Sequence, residues 1–148
     1  MDCAKLNGEY YLRVDPGEEI LDAIIKTCER EKIYGGHFHG IGACGEITFR
    51  TYLPAEKISS YKNFTGLFEM VSLLGNVVYT DKIDLHAHAI FSYLDENQNL
   101  ASVGGHLSRA VVNYKAEIII RSAGEIISQR FDIVPDNFGT WNFRHEEI

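Results

Sequence analysis

Five of the six histidines in this 148-residue chain fall in two short stretches, "GGHFHGIG" and "KIDLHAHAIFSYLDENQNLASVGGHLSRA". A neutral imidazole nitrogen is a good ligand for zinc, iron or nickel, so closely spaced histidines raise the question of a metal. On a strand alternate residues share a face. His86 and His88 therefore project together with Asp84 and Ile90, while Leu85, Ala87 and Ala89 project the other way. If residues 84–93 and 100–103 form a hairpin over "DENQN", the chain returns along the pair, and the glycines at 104 and 105 let it bend and deliver His106. Three imidazoles around an ion leave a coordination position open, as catalytic metal sites do and closed structural ones do not. The reading is a divalent transition metal on His86, His88 and His106, zinc first, with iron or nickel as alternatives. The plainer alternative is three histidines that serve the core or surface. His37 and His39 repeat the H-x-H spacing, and they complete this site, form another or sit in a glycine-rich loop.

Glu69 stands in the apolar run "LFEMVSL", where Leu67, Glu69, Val71 and Leu73 would share a strand face. An ionised carboxylate among apolar neighbours needs a partner. It would orient a ligand histidine, serve as a general base, or pair an arginine; otherwise it faces solvent from an edge strand. Glu117 in "KAEIIIRS" raises the same question. No phosphate-binding loop, dinucleotide fingerprint or GxSxG nucleophile elbow occurs. Cys3, Cys28 and Cys44 form no CxxC pair, which argues against a disulfide framework or a thiolate zinc site. Cys28 lies on an apolar stripe, and Cys44 in "GIGACGE" is a candidate reactive thiol.

The elements that must position these residues are legible in outline. In "RVDPGEEILDAIIKTCEREKI", Asp15 can cap a helix, Pro16 suits its first position and Glu18 suits a capping box. Ile20, Leu21, Ile24, Ile25 and Cys28 recur at helical spacing. "EYYLRV" before it and "EITFRTYL" after it read as strands, and the intervening "GGHFHGIGACG" must turn tightly or approach another backbone closely. "PAEKISSYKNFTG" reads as irregular, and "LFEMVSLLGNVVYT" as two strands joined near "GN". "KIDLHAHAIFSYL" and "LASV" are a long and a short strand, and "KAEIIIRS" pairs with "EIISQRFDIV" across "AG". One helix among many strands predicts an α+β domain with a largely antiparallel sheet. It forms a single domain over 1–148, with a core at about 10–135 and a polar tail at 136–148 that holds His145.

Composition bounds the function. The formal charge of −7, with basic residues such as Arg50 and Arg109 scattered, gives no basic stripe of the kind phosphate binding needs. The start "MDCAKLNGEYY" lacks the basic and apolar runs of a secretory leader, and no run reaches the length of a membrane span, so a soluble cytoplasmic protein is expected.

Taken in order, "LRVDPGEEILDAI", "GIGA", "GLFEMVSLLGNV", "LHAHAIFSYLDENQNLASVGGHL" and "KAEIII" resemble the plants-and-prokaryotes-conserved (PPC) domain from about Tyr10 to about Pro135. The resemblance implies a central, mostly antiparallel sheet and a homotrimer. His86, His88 and His106 match the positions where prokaryotic members carry H-x-H and Gly-Gly-His; His37 and His39 fall where the pattern is less constrained. In land plants the domain accompanies AT-hooks, and prokaryotic members carry a DNA-binding label by that association. No Arg-Gly-Arg-Pro segment occurs here. The expectation is a trimeric metal-binding protein with a small-molecule ligand or substrate, with Glu69 as candidate base if it is an enzyme. The rival is a DNA-binding or regulatory protein by analogy with the plant domain.

Overall fold

The computed structural model describes residues 1–130 and 139–142. Among these, β1 (Asp2–Leu6) and β2 (Glu9–Val14) precede one helix, α1 (Ile20–Glu31). Long strands follow: β3 (Gly36–Leu53), β4 (Ile58–Tyr79), β5 (Ile83–Leu94) and β6 (Leu100–Ser122), then the short β7 (Ser128–Arg130) and β8 (Thr140–Asn142). Strand accounts for 69% of the described residues, so the fold is largely β with a single 12-residue helix among them rather than a balanced α+β domain.

The excess of strand arises where glycines were read as breaks. "GGHFHGIGACG" continues as β3 and makes the close approach to another backbone, since a Cβ would lie 2.2 Å from the Arg121 carbonyl oxygen at Gly36 and 2.6 Å from that of Glu117 at Gly40; residues 75–76 lie inside β4 rather than in a hairpin. At Gly75 a side chain would put its Cβ 2.1 Å from Phe38 Cζ, so this glycine admits the Phe38 ring against the backbone. "LASV" and "KAEIIIRS" are the two ends of one 23-residue strand, β6. The remaining expected strand, "EIISQRFDIV", contributes β7, which pairs β8; residues 131–138 and 143–148, with His145, lie outside the described residues.

The sheet runs β1-β2-β6-β3-β4-β5, every neighbour antiparallel, and β5 pairs back onto β6. β3 to β6 thus close on themselves, which leaves those four strands few free backbone groups. Inward residues Phe38, Phe91, Leu73, Ile118 and Ile120 form the core with Ile20, Ile24 and Cys28 of α1. Cys44 is also in that core, and burial pushes both its thiol and that of Cys28 up to about 12, which removes Cys44 as a reactive thiol.

One edge of β6 shows how the chain satisfies its backbone. β5 covers residues 100–106 and β2 covers 116–121. Between them Gly17 N–H donates to the Val112 carbonyl and Val112 N–H donates to the Glu18 carbonyl, both at 2.9 Å. The Ala110 N–H donates to Glu19 Oε1 at 2.8 Å, while Glu19 Oε2 accepts from the Asp22 N–H at 2.7 Å as the helix cap. This double use fixes the helix start at Ile20, five residues after the expected cap Asp15. The 15–18 segment forms a closed turn instead: Asp15 N–H donates to the Glu18 carboxylate and Glu18 N–H to the Asp15 carbonyl. No helix of the described residues is long and apolar enough to cross a membrane.

Candidate metal centre

The hairpin between β5 and β6 builds the site. Asp95 closes its turn by accepting the N–H groups of Asn97 and Asn99, each at 2.8 Å. That pairs Leu94 with Leu100, and each step back along one strand is a step forward along the other. Six steps on, His88 faces His106. The ladder runs through the glycine pair without a register shift, with Gly105 at a φ of +155° that side chains rarely adopt. Gly104 and Gly105 sit in the ladder opposite Ile90 and Ala89, and a Cβ on Gly104 would lie 2.8 Å from the Ala89 carbonyl oxygen. Register delivers His106 opposite His88.

The period-two geometry holds on β5: Ala87 and Ala89 are buried, and His86 and His88 are exposed on the outer face. Their Nε2 atoms are 3.1 Å apart. The His106 ring stands 5.1 Å from that of His86 and 5.3 Å from that of His88, centroid to centroid. One ring nitrogen from each residue lies within 4.8 Å of the others, so the three could hold one metal ion. Two nitrogens bound to one ion at ~2.1 Å are ~3.4 Å apart at a tetrahedral angle and ~3.0 Å apart at a right angle. The observed 3.1 Å falls between those values.

The protonation states also suit ligation, which requires neutral imidazole. His106 is pushed down to about 4, by burial first, then by Arg50, His86 and His88. His86 is lowered by burial first, then by His88 and Arg50, with Asp84 opposing. Arg50 is a residue that the sequence left among scattered cations. It pairs with His106 across β3 and β6, on the far side of a register shift between Thr48 and Phe49. Phe49 and Leu107 beside them are buried, so Arg50 and His106 share the outer face. Only the register of two strands more than fifty residues apart reveals this.

Across β4, His37 and His86 flank Asn76, and His39 and His88 flank Leu74. His37 and His39 thus share the outer face but stand one strand beyond the cluster, some 10 Å away at ~4.8 Å per strand. With Asn76, Leu74, His86 and His88 they line a groove of about 340 Å³ that opens beside the cluster. The structure does not bring Glu69 to the histidines. It is exposed opposite Ser92, four residues and ~13 Å along β5 from His88. Its expected face is also broken: a register shift between Met70 and Ser72 sends Leu73 fully inside, leaving Leu67, Glu69 and Val71 outside. Glu117 is exposed and pairs with Lys115 at 3.1 Å.

Solved structures share this architecture. A protein from Bacteroides thetaiotaomicron, named a "putative DNA binding protein", is 27% identical with a TM-score of 0.87 over 96% of each chain. A plant- and prokaryote-conserved (PPC) protein from Pyrococcus horikoshii is 28% identical, TM-score 0.76, over 96% of this chain and 94% of its own. A protein from Archaeoglobus fulgidus named as metal-containing is 26% identical, TM-score 0.78, over 91% of this chain and 93% of its own. No curated protein matches the sequence. The family model for the Plants and Prokaryotes Conserved (PCC) domain matches residues 1–124, and together with the closed sheet and its shared topology this makes the chain a member of that family.

Proposed function

We propose that this protein binds one divalent transition metal through His86, His88 and His106, and that a small molecule completes the coordination. The observation that carries this is the convergence of three ring nitrogens within 4.8 Å on an outer face, two of their rings lowered in pKa by burial and neighbouring charge. The metal-containing Archaeoglobus relative supports it. Zinc is the first choice, since three neutral imidazoles with an open position match its catalytic coordination; iron and nickel also accept such a set. A bound ion of this kind would make a water nucleophilic near neutral pH, which is the chemistry an enzyme here would use.

The protein also assembles, on this reading, as a homotrimer. Ile41 and Val71 are 55% and 56% exposed, and with Leu74, Tyr11 and Ile119 they frame an apolar groove of about 730 Å³ on the outer face. A second copy would remove that surface from water. DNA binding is the second reading, carried by the name of the Bacteroides relative; the net charge of −7 works against it.

The test is metal analysis of protein purified without a histidine tag, with light scattering on the same sample. One ion per chain and a trimer mass are expected. Metal well below one per chain after reconstitution, or nanomolar binding to A·T-rich duplex at physiological salt, would refute the metal reading or promote its rival.

A further inference from the structure

The outer face carries a cation where a metal alone would favour an acid. One continuous row of cross-strand neighbours runs Leu74, His88, His106, Arg50. Cross-strand partners stand with Cβ atoms about 5 Å apart, so the long Arg50 side chain starts within reach of the space over His106. Among the described residues no carboxylate forms an ion pair with Arg50. Arg109, three positions from His106 on the same strand, is by contrast paired with Glu46 at 3.4 Å. An unpaired cation beside three metal ligands repels the ion that they bind, and Asp84, the acid on the same face of β5, is not paired with it. The arrangement becomes favourable when an anion sits between the two positive charges.

Resting on the metal reading above, we infer that Arg50 is the anion-binding residue of this site and that its ligand is a small organic acid. One carboxylate oxygen would take the open position of the ion and the other would meet the guanidinium fork, which matches planar carboxylates. The groove of about 340 Å³ lined by His37, His39, Leu74 and Asn76 lies on the opposite side of the histidines from Arg50. Three strand spacings of ~4.8 Å separate it from Arg50, so an acid held by the guanidinium stays over the histidines and must be small. One guanidinium fork beside one ion is not a phosphate cradle, which would present backbone N–H groups or several cations.

The test uses full-length protein loaded with Co²⁺ and measures ion stoichiometry first, then titrates isobutyrate or inorganic phosphate while following the cobalt absorption spectrum. Wild type should bind one ion and then isobutyrate, with phosphate weaker. Arg50→Gln should keep one ion per chain, held at least as tightly, and lose isobutyrate affinity by about tenfold to a hundredfold. Arg50→Lys, which retains the charge without the fork, should recover part of that loss. Isobutyrate affinity within twofold of wild type in Arg50→Gln overturns the assignment while leaving the metal reading intact. Phosphate binding tighter than isobutyrate overturns the ligand class. Wild type that takes up no cobalt overturns both.

Discussion

Replacing His106 with alanine should strip the metal while leaving the fold standing. Zinc sites with four ligands bind with about 10–16 kcal/mol, so one ligand accounts for ~2.5–4 kcal/mol. At 1.4 kcal/mol per tenfold, His106→Ala should weaken the ion by on the order of a hundredfold to a thousandfold. The two nitrogens that remain, His86 Nε2 and His88 Nε2, are 3.1 Å apart and can still chelate, but both come from one strand, and the facing strand would contribute none. The fold should persist because His106 faces outward, while its neighbours Leu107 and Phe49 carry the core side of the same register. A change within ~0.5 kcal/mol is expected for the metal-free protein. Competition with a chromophoric chelator measures the affinity, and urea unfolding in excess chelator measures the stability. Metal affinity within threefold of wild type would mean that His106 is not a ligand. A drop of several kcal/mol in metal-free stability would mean that the ring is structural.

Metal-free protein should lose stability as pH falls from 6.5 toward 4. His106 stays neutral in the fold to about 4 whereas the unfolded chain takes up its proton near 6.5, so the unfolded state binds more protons in that window and gains on acidification. Discounted for the solvent reaching the ring, the effect is about 1–2 kcal/mol, and a pH series of urea midpoints should show a shallower slope in His106→Gln. Glu19→Ala should cost about 2–3 kcal/mol in the same assay, since it removes the helix cap and leaves the Ala110 N–H without its acceptor; Glu19→Gln, which keeps an oxygen, should cost less. Gly75→Ala should cost ~1–3 kcal/mol or more, as its Cβ would overlap the Phe38 ring and lie 2.8 Å from the His86 carbonyl oxygen, and a neutral result would show that both ring and strand can move aside.

The sequence by itself determined the parts whose cause is local. Period-two alternation put His86 and His88 on one face and Ala87 and Ala89 on the other, and the structure keeps that division. The 3.6-residue spacing of Ile20, Ile24 and Cys28 marked the buried side of α1, and the polar "DENQN" marked the turn that brings His106 back. Composition and motif order were enough to point to the family. The close backbone approach expected of "GGHFHGIGACG" holds at Gly36, Gly40 and Gly42, and what failed was the reading of two other glycines. Gly75 and Gly104 read as breaks because a glycine's effect depends on what lies above it, and that is a ring from β3 in one case and a carbonyl from β5 in the other. The helix start also shifted, because Glu19 answers a donor ninety-one residues away. Arg50 escaped notice for the same reason: nothing in its own neighbourhood ties it to His106, and a register shift before Phe49 alters the pairing by one residue. Glu69 shows the converse, an acid whose apolar surroundings suggested a role beside the histidines but whose strand position sets it four residues along the sheet. Local periodicity fixes which way a side chain points. Which side chains meet is set by strand register, and register is decided only when distant strands find the pairing that satisfies their backbones and buries their apolar faces together.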